Sequence, residues 1–226
     1  MLRNILSGGD PIEFIISLLL TLPIALLSLS MHEMAHGYVA SKLGDPTAKS
    51  LGRITLNPLK HLDPIGFLCT VLFGIGWANP VPINTRYFKK PRRDMALSAA
   101  AGPISNLLLA LIFAIILKVF LIFFPNTLYF VMTNHNCFEN IMFNFLFTGI
   151  SLNIALAVFN LIPVPPFDGS RIAYVFLPPK YYFGVMKYER YIAIGIMLLL
   201  FVGALDPILN FVRNTLMYLL FFALRI

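Results

Sequence analysis

His32, Glu33 and His36 fall within one run, His32-Glu33-Met34-Ala35-His36, which fits H-E-x-x-H. On an α-helix a spacing of four turns a side chain by about 400°, so the two imidazoles share one face a turn apart. Two neutral imidazoles so placed can hold one tetrahedral zinc ion. The carboxylate beside the first projects close enough to take a proton from a zinc-bound water. Either histidine alone would read as a snorkelling or locally satisfied side chain. Three ionisable groups together at the end of an apolar run are costly in a bilayer and mark function there.

That run begins near Pro11, and the whole chain shares its character. Of 226 residues 58% are hydrophobic and 12% charged, with 21 Phe and a mean hydropathy of +0.81. A soluble protein carries about twice that charged fraction, so the composition is that of an integral membrane protein. The length allows one bundle of several spans: a single membrane domain over 1–226, with a catalytic core at about 11–171 and C-terminal helical segments at about 186–224. The net charge of +7 does not point to nucleic acid, because Lys and Arg fall between apolar runs, where they set orientation and meet lipid headgroups. Cys69 and Cys137 have neither pairing nor metal spacing and read as free thiols. The start lacks a strongly basic segment and a small-residue cleavage site, so the first apolar run is expected to be a retained span.

The elements that must position the motif follow from breakers and charge. Pro11 to Leu43 reads as one long helix with a kink at Pro23, ending at Gly44-Asp45-Pro46. A polar basic segment runs from Asp45 to Asp63. Pro64 to Trp77 is too short to cross, and Ala78-Asn79-Pro80-Val81-Pro82-Ile83-Asn84 breaks helices, which predicts a re-entrant element with extended backbone. After the cationic run Arg86 to Arg93, Asp94 is expected to cap a second long helix reaching about Phe124, whose small early residues (Ser98, Ala99, Gly102, Ser105, Asn106) permit close approach. A third helix covers about Asn140 to Leu161. The apolar stretches Tyr191–Ala204 and Pro207–Leu224 form a hairpin or one kinked helix. The fold class is therefore an all-α polytopic membrane protein with about four to six transmembrane helices and a re-entrant extended element between the first two long helices.

Loop charge places 45–63, 85–93 and 169–190 in the cytoplasm and the 125–137 loop outside. His32 and His36 then lie in the cytoplasmic half of the first helix. The third helix returns to the same side and delivers Asp168 after the stiff exit Ile162-Pro163-Val164-Pro165-Pro166. Asp168 is the third ligand this topology favours. His61 and Asp63 stay as rivals on the same side, whereas His135 and Glu139 lie a membrane away. Two His, one Asp and an exchangeable water make a catalytic zinc site, one Zn2+ per chain, with Glu33 as general acid/base. Asn160 either holds substrate backbone or the tetrahedral oxyanion, or bonds local carbonyls.

With these residues in view the chain resembles the site-2 protease family of intramembrane zinc metalloproteases, peptidase family M50, in a minimal form without a PDZ-like domain. The resemblance rests on His32 to Gly37, Leu43-Gly44-Asp45-Pro46, Gly52-Arg53-Ile54-Thr55-Leu56-Asn57-Pro58, His61-Leu62-Asp63-Pro64, Gly102-Pro103-Ile104-Ser105-Asn106 and Asn160 to Gly169. It implies that His32, His36 and Asp168 bind zinc, that Glu33 is the general acid/base and that Asn160 positions substrate. It further implies a membrane-protein substrate cleaved within or near its transmembrane helix, in a cell membrane, with the active site towards the cytoplasm. Since a helical substrate must first unwind, the 78–84 stretch, with Asn79 and Val81, is expected to pair with it as a strand partner. The competing functions are a membrane metal transporter and a catalytically silent relative that only binds membrane proteins.

Overall fold

A computed structural model describes residues 11–66, 78–133, 137–177 and 188–226. The elements in chain order are α1 (Pro11–Lys42), α2 (Thr47–Ser50), α3 (Pro91–Phe123), α4 (Thr127–Met132), α5 (Phe138–Asn160), α6 (Asp168–Ala173), α7 (Glu189–Phe201) and α8 (Asp206–Leu224). Short 3-10 turns occupy Pro58–Lys60 and Thr85–Tyr87. Among the described residues four helices are long and apolar enough to cross a membrane: α1, α3, α5 and α8. The described residues contain no strand, and Leu62 and Ala78 form an isolated antiparallel bridge. The protein is thus an all-α, multi-pass membrane protein.

The bundle is built on α3, which packs against both α1 and α5, while α5 also meets α1 and α8. The core lies between these helices, with Ile24, Phe113, Ala114, Leu117, Ile150 and Ile154 all buried. Gly149 is small because a Cβ there would sit 2.7 Å from the Phe113 ring, so α5 closes on α3 through that glycine. Outward-facing residues of α3 such as Leu108, Ile112, Ile116 and Ile122 are exposed and apolar, as a lipid-facing surface requires. Inside, by contrast, the buried Asn106 and Asn153 pair across helices, and the buried Ser105 donates to the Gly102 carbonyl of its own helix. Near the far end of α3, Lys118 Nζ donates to the Leu224 carbonyl at 2.6 Å, satisfying one of the carbonyls left open at the end of α8.

Several local expectations change. α3 starts three residues before Asp94, because Pro91 is suited to a first helical turn. Asp94 lies in that turn and reaches back, Oδ2 accepting from the Lys90 N–H at 3.0 Å while Arg93 pairs with Oδ1 at 2.8 Å. The 125–137 loop contains the short α4. The C-terminal apolar region is two helices, broken at 202–205, where Gly203 takes φ +76°, a conformation that favours glycine. As expected, α1 is one long helix with Pro23 inside it. The expected turn of the re-entrant element at 67–77, with Cys69, lies outside the described residues, as do His135, Lys180 and Lys187.

The connection after α1 is tied down before it reaches the extended element. Gly44 takes φ +111°, and a Cβ there would press on the Tyr87 carbonyl at 3.2 Å. The buried Asp45 carboxylate accepts from the Thr47 amide at 2.9 Å and from the Asn84 amide at 2.7 Å. One end of 78–84 is thereby fixed to the end of α1.

Candidate functional site

Two helices and one turn build the site. α1 carries His32, Glu33 and His36, all buried. The non-helical exit 161–167 delivers Asp168 as the first residue of α6. Gly169 is needed in that turn, since a Cβ would collide with the Leu161 and Ile162 carbonyls. The His32 and His36 Nε2 atoms lie 3.0 Å apart, and Asp168 Oδ2 lies 3.1 Å from the first and 3.3 Å from the second. Among the described residues, these three are the group whose ligand atoms all lie within 4.8 Å of one another.

Hydrogen bonding on the far side of each ring fixes which nitrogen is bare. His36 Nδ1 lies 2.7 Å from the Ser98 carbonyl, which can only accept. His32 Nδ1 lies 2.7 Å from Asn106 Oδ1, likewise an acceptor. Each Nδ1 must therefore donate, and a neutral imidazole then turns an unprotonated Nε2 inward. Asp168 Oδ2, buried between them, receives no hydrogen bond. Two nitrogen lone pairs and a carboxylate oxygen converge with no proton among them, an arrangement that a cation satisfies. Two His, one Asp and an open fourth position suit zinc, so the residues present fit the ion.

Burial opposes the charge on Asp168, but the His32 and His36 rings beside it hold its carboxyl well below the usual carboxylate range. The carboxylate is therefore ionised.

α3 comes close because Gly102 has no side chain. A Cβ there would lie 2.5 Å from His32 Cε1, His36 Cε1 and His36 Nε2. Ser98, Gly102 and Asn106 are spaced by four on α3, as Ser28, His32 and His36 are on α1. The two stripes run antiparallel in register: Asn106 meets Ser28 and His32, Gly102 covers both rings, and Ser98 meets His36. From the sequence, Ser98, Gly102 and Asn106 are small or polar positions, the last two within a motif that carries the resemblance, with no role assigned at the histidines. The shared spacing of four was the signal that linked them to the histidines.

Glu33 is held from the extended element, where the Val81 N–H donates to Oε2 at 2.9 Å. That element has other ties. The Asn79 N–H donates to the His61 carbonyl at 2.7 Å, and Arg53 donates to the Asn79 and Pro80 carbonyls at 2.6 and 3.2 Å. Asn160, partly buried, donates from Nδ2 to the Leu156 carbonyl of its own helix at 2.9 Å. The rival ligands are engaged elsewhere. His61 Nε2 lies 2.8 Å from the Thr55 carbonyl, and Asp63 Oδ1 accepts from the Gly66 amide at 2.7 Å.

The model of peptidase family M50 matches residues 20–203. The chain is 41% identical to the "Putative zinc metalloprotease YwhC" of Bacillus subtilis, over 92% of this chain and 93% of that protein. It is 30% identical to a Methanocaldococcus jannaschii relative of the same zinc metalloprotease description, over 62% of each chain. Rip2 of Mycolicibacterium smegmatis, so described too, is 29% identical over 70% of this chain and 58% of its own length. No solved structure matches the chain.

Proposed function

The chain belongs to peptidase family M50 and is a zinc metalloprotease, and from that premise we propose that it cleaves membrane proteins within or near a transmembrane segment. The observation that carries the intramembrane reading is the convergence of His32 Nε2, His36 Nε2 and Asp168 Oδ2 on a helix apolar enough to span a bilayer, with Glu33 beside them. In this reading His32, His36 and Asp168 hold one Zn2+, and 11–171 forms the catalytic core of a single domain, flanked by helical segments at 186–224. The basic segments 45–63 and 85–93 put the site towards the cytoplasmic face of a cell membrane.

Zinc bound there would polarise a peptide carbonyl and make a water more acidic. Glu33 takes one proton from the attacking water as its oxygen bonds to the carbonyl carbon. As the C–N bond breaks, Glu33 returns that proton to the leaving amine. Val81 acts through Glu33, its amide fixing one carboxylate oxygen and leaving the other to the water. Asn160 keeps a second amide hydrogen and its oxygen for substrate backbone. The extended element offers an unwound peptide carbonyls more than amides, since Pro80 and Pro82 have no N–H and the amides of Asn79, Val81 and Asn84 are committed. The Asn79 and Pro80 oxygens each keep a second lone pair beside the Arg53 bond. Peptide N–H groups donating to that edge, around Asn79 and Val81, would align the scissile bond.

The test is Glu33→Gln in purified protein with a co-expressed transmembrane substrate. Loss of cleavage with zinc retained supports the mechanism. Retained cleavage sinks it, and zinc flux through reconstituted vesicles without cleavage would establish a transporter instead.

A further inference from the structure

We propose that Asn153 and Asn106 form a two-amide relay across three helices that sets the tautomer of His32, with Asn153, aided by the Ser28 carbonyl, selecting which end of the Asn106 amide faces the ring. Both are positioning residues, and the inference rests on the zinc reading above. Asn106, Asn153 and His32 sit on α3, α5 and α1 and are all buried, the two amides with no exposure at all.

The direction of the relay is forced by backbone carbonyls, which only accept. Asn153 Nδ2 donates to the Gly149 carbonyl at 2.8 Å, so Asn153 Oδ1 must face α3. That oxygen accepts from Asn106 Nδ2 at 2.9 Å, and the same Nδ2 donates to the Ser28 carbonyl at 3.3 Å. Asn106 Oδ1 is left to face His32 Nδ1 at 2.7 Å. A reversed Asn106 amide would put two nitrogens face to face unless the His32 proton moved to Nε2, where it would fill the lone pair needed by the metal. Two buried amides at membrane depth are expensive unless fully paired, and here each bond also selects the next one's polarity.

A carboxylate at 106 has no wrong way round, since both its oxygens accept. The relay therefore predicts a specific non-additivity. Asn153→Leu should weaken zinc binding up to about tenfold, the lower end of the loss found when the direct outer partner of a metal-bound histidine is removed. In an Asn106→Asp background the same Asn153→Leu change should cost nothing further. Zinc affinity is measured by competition with a chromophoric chelator on detergent-solubilised full chain. Equal loss from Asn153→Leu in both backgrounds would mean packing only, and no loss in the native background would mean no coupling; either overturns the relay. A native chain that binds no zinc sinks the zinc reading itself, a separate outcome. If Asn106→Asp does not fold, imidazole 15N shifts of the metal-free native chain and of Asn153→Leu, at a pH well above the imidazole range, keep the test open. The His32 proton should sit on Nδ1 in the native chain and move towards Nε2 in the variant; an unchanged tautomer overturns the proposal.

Discussion

The Val81 N–H donates to Glu33 Oε2 at 2.9 Å, joining the extended element to the helix that carries both histidines. Glu33 lies next to His32 in the chain, yet its carboxylate is steered by a residue 48 positions away. Val81→Pro removes that donor and should lower cleavage about a hundredfold, the scale of a misplaced catalytic group, while zinc stays bound. Val81→Ala keeps the amide and should retain most activity. Cleavage rates beside zinc content check this, and equal losses in the two variants would refute the role of the amide.

Gly102→Ala puts a methyl group 2.5 Å from both imidazole rings. Either α3 withdraws or the rings rotate, and both outcomes separate the ligand atoms. The variant should lose zinc stoichiometry, with an overpacking cost of about 1–3 kcal/mol visible in thermal melts. Ala99→Gly, on the same helix, should leave zinc content unchanged.

Asp168→Asn replaces the carboxylate between the two imidazoles with a neutral amide and should weaken zinc binding by at least about tenfold. Asp63→Asn preserves the acceptor that meets the Gly66 amide and should leave zinc binding as it is. Direct zinc titration of the two variants separates Asp168 from its rival.

Zinc should be lost on acidification, and the sign follows from the ligands. Asp168 is held ionised well below its usual range, so protons compete with metal at the imidazoles. Zinc content should fall as pH is lowered, because each proton taken up by an imidazole fills a lone pair the metal needs. Chelation at neutral pH should abolish cleavage, and added Zn2+ should restore it. Zinc content and cleavage measured together across pH should fall in step.

The fold was legible where the residues obey a single strong rule. Long apolar runs with flanking charge specify α1, α3, α5 and α8, because backbone groups in a bilayer must be paired within the helix. The H-E-x-x-H spacing places His32 and His36 on one face, and chain parity brings Asp168 to them. What the sequence concealed depends on contacts between distant segments. Nothing in Val81 itself says that its amide meets Glu33, and Asp94 looks like a cap until Pro91 starts the helix earlier. Asn160 has an apolar helix end around it, which fits either of two roles; the bond to the Leu156 carbonyl is the local one. The break at Gly203 needed a backbone angle, since Asp206-Pro207 is equally a helix start.

The prolines at 80 and 82 also bear on how copies of this protein coexist in a crowded membrane. An exposed backbone edge ordinarily invites a matching edge from a neighbour, because donors and acceptors alternate along both. Here Asn79 and Pro80 are exposed, but Pro80 and Pro82 have no N–H and the Asn79, Val81 and Asn84 amides are turned into the protein. Two such edges brought together would oppose carbonyl to carbonyl and repel. The segment whose amide reaches Glu33 therefore offers a neighbouring edge few donors.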